Sequence, residues 1–242
     1  KGKPFYLSGR WTMMTESRER ILNKIKSNIR KKNDLTETDI NILEGRIKGS
    51  EPNLIPKRGV IKKDALLETF INRAKEVASS VAVINSLSEI PTEVIDYLAK
   101  NNIASKIVVL PNEDIDFVEW NKHPTLEVVN KYADEKDETV LVSSFSAIAE
   151  TGTVVQLSGP KNPITSHFLP DNSIVLVKAS RIISSSEDAF KLLRKEHKNI
   201  PRTVSLISGP SRTGDIALNI EMGAHGPRKV HLIVWNDLEQ AQ

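Results

Sequence analysis

Residues 139–177 read TVLVSSFSAIAETGTVVQLSGPKNPITSHFLPDNSIVLV, and their interpretation decides the fold. Three Val- and Ile-rich runs stand in this stretch, at 139–142, 153–157 and 174–177. Each has the length of a strand and is too short for a helix that buries one face. The intervals between them carry Gly152, Gly159, Pro160, Pro163 and Pro170. They leave no room for the long crossover helices that join parallel strands. Antiparallel pairing or an inserted hairpin is therefore expected here.

Outward from this stretch the pattern is more regular. Strands are expected at 81–84 and 106–110 upstream, and at 203–207 and 230–235 downstream. Leu67, Phe70, Ile71, Ala74, Val77 and Ala78 mark one helix face. Residues 91–100 and 186–197 read as further helices, the former capped by Ser88 and opened by Pro91. Seven short strands, several separated by helices, predict an α/β protein with a mostly parallel sheet covered on both faces. Further upstream, Ile21, Leu22, Ile25 and Ile29 recur at helical spacing and predict a helix over 15–30. Residues 31–60 are polar, with a short helix expected near 39–47. The expected division is a leader or expression remnant without fixed structure at 1–14, an N-terminal helix and extended polar arm at 15–60, and an α/β domain at 61–238. The arm is the expected contact for a homo-oligomer.

Composition removes several function classes. The 242 residues are 39% hydrophobic and 27% charged, ordinary for a globular chain. There is no cysteine, so disulfides, a thiolate nucleophile, zinc–thiolate sites and thiolate-ligated iron–sulfur clusters are excluded. No apolar run approaches the roughly 20 residues of a membrane span, and a cytoplasmic location is expected. Residues 1–32 hold ten Lys/Arg against Glu16 and Glu19, a balance of +8, while the remainder holds 24 against 29, a balance of −5. The body lacks the basic bias that nucleic-acid binding needs. No metal site is expected, since His167, His225 and His231 have neither cysteine nor clustered carboxylates beside them.

Three stretches carry candidate chemistry, and a fourth, KNPITSHFLP at 161–170, reads as a loop over the same sheet edge or, for most of its length, an ordinary surface connection. Glu150 is an acid among apolar and small residues between two strands, and Thr151 and Gly152 after it are candidate anion- or substrate-binding residues. Desolvation would fit it for proton transfer or nucleophilic attack; the alternative is that it accepts backbone N–H bonds and fixes the turn. Residues 208–215, SGPSRTGD, follow a strand. Asp215 is read as the cap of a helix over 216–222 and, with Glu150 and His225, as a catalytic candidate, while Gly209, Ser211, Arg212 and Thr213 are read as holding a phosphate or carboxylate at the helix start. The loop matches neither a Walker loop nor a dinucleotide fingerprint. His225, between glycines in the GAHGP turn at 223–227, is a candidate acid/base or anion ligand. All three are expected at the carboxyl ends of sheet strands, around one shared hollow.

Taken together and in order, AETGT at 149–153, LP at 169–170, SGPSRTGDI at 208–216 and GAHGP at 223–227 resemble the LUD-domain family, most closely its lactate-utilisation protein C branch. The resemblance runs from about Glu16 to Trp235; Gly214 departs mildly from the small Ala-like residue expected there. It implies a NagB/RpiA/CoA-transferase-like fold with a smaller subdomain. It also implies a part in oxidising L-lactate to pyruvate beside iron–sulfur companion proteins, with a small anionic metabolite as ligand. No covalently bound cofactor is expected, though an organic ligand has room. Two other functions compete with a non-redox subunit: a stand-alone isomerase or CoA-transferase-like enzyme using Glu150, and a metabolite-binding regulator.

Overall fold

The structure, a computed structural model, describes residues 8–29, 36–49, 54–214 and 220–238. It divides into two units, Lys1–Glu51 and Pro52–Gln242. In the first, α1 (Ser8–Ile29) begins ahead of the expected Thr15, and α2 (Glu37–Gly49) covers the expected short helix. Thr36 opens α2: its hydroxyl accepts from the Asp39 N–H at 3.2 Å while Asp39 Oδ2 accepts from the Thr36 N–H at 2.9 Å. Ile21, Leu22 and Ile25 of α1, and Ile40 and Leu43 of α2, stand exposed. Among the described residues, no helix is long and apolar enough to cross a membrane.

The second unit runs α3 (Leu66–Glu76), β1 (Ser80–Ile84), α4 (Ile90–Lys100), β2 (Lys106–Val109), β3 (Glu127–Asn130), β4 (Thr139–Ser143), β5 (Ser146–Ile148) and β6 (Thr153–Leu157). It continues through α5 (Thr165–Phe168), β7 (Asn172–Lys178), β8 (Ile182–Ile183), α6 (Ser186–Glu196), β9 (Val204–Ile207), β10 (Arg212–Gly214), β11 (Ile220–Met222) and β12 (Lys229–Trp235). Six strands form one sheet in the order β1-β12-β7-β4-β2-β3, with every neighbouring pair parallel. Alternate residues point to opposite faces. Val140, Val142, Val175, Val177, Leu232 and Val234 pack with Phe70 and Ala74 of α3 and with Ala147 and Val154 of the second sheet. Leu141, Ile174, Leu176 and Ile233 pack on the other side with Ile90, Val94 and Leu98 of α4. Burial on both sides explains why these strands read as unbroken apolar runs. Each fully buried Leu or Ile contributes about 1.5–3 kcal/mol of transfer free energy.

A second, four-stranded sheet has the order β8-β5-β6-β9. Here β5 pairs antiparallel to β6 and β6 antiparallel to β9, which is the antiparallel element expected within 139–177. The strands expected at 153–157 and 203–207 thus belong to this sheet and not to the parallel one. The chain crosses into it twice from the same edge, after β4 into β5 and after β7 into β8, and β5 and β8 run parallel. The turn before α4 is capped by Ser86, not Ser88: Glu89 Oε1 accepts the Ser86 N–H at 2.7 Å, and Ser86 Oγ accepts the Ser88 N–H at 3.3 Å.

Candidate functional site

Glu150 lies in the turn between β5 and β6. Its N–H donates to Ser184 O at 3.1 Å, and the Ala149 N–H donates to Ile183 O at 2.8 Å. Ser184 also holds the strap that covers the turn. Its hydroxyl donates to Gly59 O at 2.7 Å and accepts from the Ile61 N–H at 3.0 Å. The strap brings Arg58 Nε to 2.7 Å from Glu150 Oε1. Only 7% of the Glu150 side chain is exposed, against 68% of Arg58, so a solvated cation closes over a buried carboxylate. A Cβ on Gly59 would stand 2.9 Å from Glu150 Oε2, so the carboxylate needs that glycine beside it. The acid expected to sit alone among small residues has a charged partner. Nothing in the polar stretch around residue 58 announces it.

Hydroxyls link this turn to the Ser208 loop. Thr151 Oγ1 lies 2.6 Å from Thr153 Oγ1, which lies 2.6 Å from Ser208 Oγ. The two glycines assigned to ligand binding serve packing. Gly152 has φ +63°, and a Cβ there would meet the Ala74 amide nitrogen at 2.3 Å. Gly209 has φ +73°, and a Cβ would meet Val77 O at 2.0 Å. Both backbones therefore rest directly on α3 and its C-terminal end, a seat open only to glycine.

Ser211 gathers the next loop. Its N–H donates to Pro227 O at 2.8 Å, its carbonyl accepts the Gly223 N–H at 3.0 Å, and its hydroxyl accepts the His225 N–H at 3.3 Å. The SGPSRTGD and GAHGP stretches are thereby joined. Phe168 comes close as well: a Cβ on Gly226 would lie 3.3 Å from its ring. Arg212 and His225 are exposed and Thr213 is half-buried. Asp215, with most of the helix expected over 216–222, lies outside the described residues. The rest of that helix is corrected: Ile220–Met222 is strand β11, paired antiparallel to β10. Ile216, Leu218, Ile220 and Met222 alternate with Ala217, Asn219 and Glu221, a period of two that the helical reading missed. Among the described residues, strands β10 and β11, and no helix, flank this loop.

The two clusters meet through Ser208 but keep their charges apart. Among the described residues, the Glu150 carboxylate contacts Arg58, and no bond joins it to Arg212 or His225. Their place in the fold also differs from expectation. Gly209 rests on Val77, just before β1, and residues 223–228 lead into β12, where the Arg228 N–H donates to Asp171 O at 2.7 Å. This is the amino edge of the parallel sheet. Asp171 also lies 3.8 Å from Arg228 Nε.

Beneath that edge sits a buried ring. His231 Nδ1 is 2.8 Å from Ser80 Oγ, and Nε2 is 3.2 Å from Glu93 Oε1 without hydrogen-bond alignment. Tyr97 stacks on the imidazole at 4.3 Å. Burial, with the nearby Lys100 charge, pulls His231 down to about 4, and burial pushes the Tyr97 hydroxyl up to about 12. Burial also raises Glu93. Serine, histidine and glutamate in a row suggest a nucleophile and its base. The misaligned glutamate and the stacked, desolvated ring describe a packing cluster instead.

A family model described as the LUD domain matches residues 67–235. Among curated proteins, the chain is 32% identical over 130 residues to "Lactate utilization protein C" of Geobacillus sp. (strain WCH70), covering 52% of this chain and 53% of that one. It is 34% identical over 108 residues to the protein of the same name from Anoxybacillus flavithermus, covering 45% and 48%. The Bacillus subtilis protein of that name is 29% identical over 130 residues, covering 52% and 53%. The match thus spans about half the length of these relatives. Among solved structures, a DUF162 family protein from Deinococcus radiodurans superposes with a TM-score of 0.54 at 17% identity, over 73% of this chain and 99% of that one. At that identity the likeness concerns the fold.

Proposed function

The chain belongs to the LUD-domain family, and from that premise we propose that it serves L-lactate utilisation as a component without a redox centre of its own. The observation that carries this reading is the shared name of the relatives at 29–34% identity. Converting lactate to pyruvate releases an electron pair. A chain without cysteine has no thiolate to hold a cluster that would take it. Iron–sulfur companion proteins are therefore the proposed acceptors, and this chain's part is to bind a small anionic metabolite and to meet those partners. The exposed cations Arg212 and Arg228, on the loops that Ser211 ties to the His225 turn, suit such an encounter.

The reading in which Glu150 is an acyl-accepting nucleophile is less well supported. Its carboxylate is packed against Gly59 and engaged by Arg58, which favours a clasp on the turn. The experiment is deletion of the gene in its host, with growth on L-lactate as sole carbon source. Growth is expected to fail and to return when the chain is supplied in trans. Normal growth of a deletion strain that has no other lactate-oxidising enzyme contradicts the proposal.

A further inference from the structure

Two neighbouring strands of the parallel sheet part company at its carboxyl edge. From β2 the chain passes outward to β3, and from β4 it passes the opposite way to β7. Adjacent parallel strands with diverging connections leave a crevice beyond their ends, where open α/β sheets bind ligands. Here the crevice is a cavity of about 290 Å³. Leu110, whose N–H donates to Leu141 O at 3.1 Å, and Ser143 supply its floor at the ends of the two strands. Glu113 and Asp116 line it from the loop after β2, and Lys161 and Asn162 from the loop after β6.

Both loops are held in place. The Asn112 N–H donates to Asp116 Oδ1 at 3.2 Å, and Asp114 pairs with Lys178 Nζ at 2.7 Å. Opposite, Gly159 and Asn162 exchange backbone hydrogen bonds of 3.0 Å, and the Tyr132 hydroxyl donates to Pro160 O at 2.9 Å. The Asn162 amide is gripped at both ends: Nδ2 donates to Leu157 O at 2.8 Å, and Oδ1 accepts from His167 Nε2 at 2.7 Å. Among the described residues, no hydrogen bond or ion pair engages the Lys161 ammonium, the Ser143 hydroxyl or the Glu113 carboxylate. Lys161, Glu113 and Asp116 are exposed to solvent at the cavity's rim and Ser143 is half-buried, so a braced crevice carries a cation, a hydroxyl and acids that a ligand with a charge and a donor could engage.

We infer that this cavity binds a small carboxylic acid with a hydrogen-bond donor, hydroxyl or ammonium, on the adjacent carbon. Lys161 takes the carboxylate with help from Ser143, and Glu113 and Asp116 accept from the donor. A 2-keto acid offers acceptors alone and meets the acidic side unpaired. The hydroxy-acid member of the class is the one the lactate reading needs; the cavity's chemistry stands apart from that reading.

The test is titration calorimetry of the full chain with L-lactate, L-alanine and pyruvate, which share a three-carbon skeleton and differ in the donor. Lactate or alanine is expected to bind at least about tenfold more tightly than pyruvate, and Lys161→Ala to weaken that binding at least about tenfold. Glu113→Gln is expected to weaken alanine more than lactate. Absence of binding by all three, pyruvate binding as tightly as the others, or affinity unchanged in Lys161→Ala overturns the inference. Alanine binding alone upholds the cavity and shows that it is not a lactate site; the gene deletion then decides the lactate reading by itself. Loss of growth on lactate after gene deletion, with no Lys161-dependent binding, overturns the cavity and leaves that reading in place.

Discussion

The two edges of the parallel sheet treat their polar groups in opposite ways. At the amino edge and the turn beside it, Glu150 meets Arg58, Thr151, Thr153 and Ser208 satisfy one another, and Ser211 is bonded through its N–H, carbonyl and hydroxyl. At the carboxyl edge, Lys161, Ser143 and Glu113 face a cavity without partners among the described residues. Glycines and hydroxyls cluster in the sequence at the first edge, because close backbone contact with α3 demands them. At the second, by contrast, unpartnered groups line a cavity, where the topology opens a crevice. A motif-rich stretch can thus record a packing constraint, and a binding site can lie where no motif is written.

The largest expected effect breaks the packing side of this contrast. Gly209→Ala places a Cβ 2.0 Å from Val77 O at φ +73°, and should cost about 3–5 kcal/mol by urea denaturation. A loss below about 1 kcal/mol would return Gly209 to a ligand role. Acid comes next and acts on both edges, through His231 at one and His167, which grips Asn162, at the other. Burial holds each ring at about 4, below the ordinary histidine value of about 6.5. The unfolded chain therefore binds more protons between these values. Stability is complete above about pH 6.5 and falls as the pH drops toward 4, by about 3 kcal/mol for each ring at most. Denaturation curves that do not change between pH 7 and 4.5 would contradict this.

Arg58→Ala should cost about 1–2 kcal/mol, since it strips a buried carboxylate of its charged donor while the guanidinium itself is largely solvated. Combined with Glu150→Gln, the loss should be clearly less than additive; additivity would mean the pair does not act as a clasp. The smallest effect sharpens the comparison from the other side. Lys161→Ala should shift the melting temperature by no more than about 2 °C in the absence of ligand. A larger shift would mean that the ammonium supports the fold rather than awaiting a partner.

Much of the architecture was legible because burial on both faces writes strands as apolar runs, as in 139–142 and 174–177. The short strands β5, β8 and β10 are too brief to show a period, and β11 was hidden by a two-residue alternation taken for a helix. The sequence predicts Glu150 and the 208–215 and 223–227 stretches around one hollow; Ser211 joins the latter two, while among the described residues no bond joins the Glu150 carboxylate to Arg212 or His225. The partner of Glu150 was not legible, since Arg58 stands 92 positions away in a strap with no pattern of its own. Of the cavity, only the 161–170 loop was marked in the sequence, as a connection over a sheet edge. Glu113 and Lys161 come from separate loops and Ser143 from the end of β4, and only the strand order makes them neighbours.

The double crossover from β4 and β7 into the second sheet has a mechanical consequence. Glu113 is anchored to the first sheet through β2, whereas Lys161 hangs from the second through β6. A molecule spanning the two would rivet one layer to the other, so its arrival should stiffen the whole α/β body against sliding of the layers and slow amide exchange along β6 and β9.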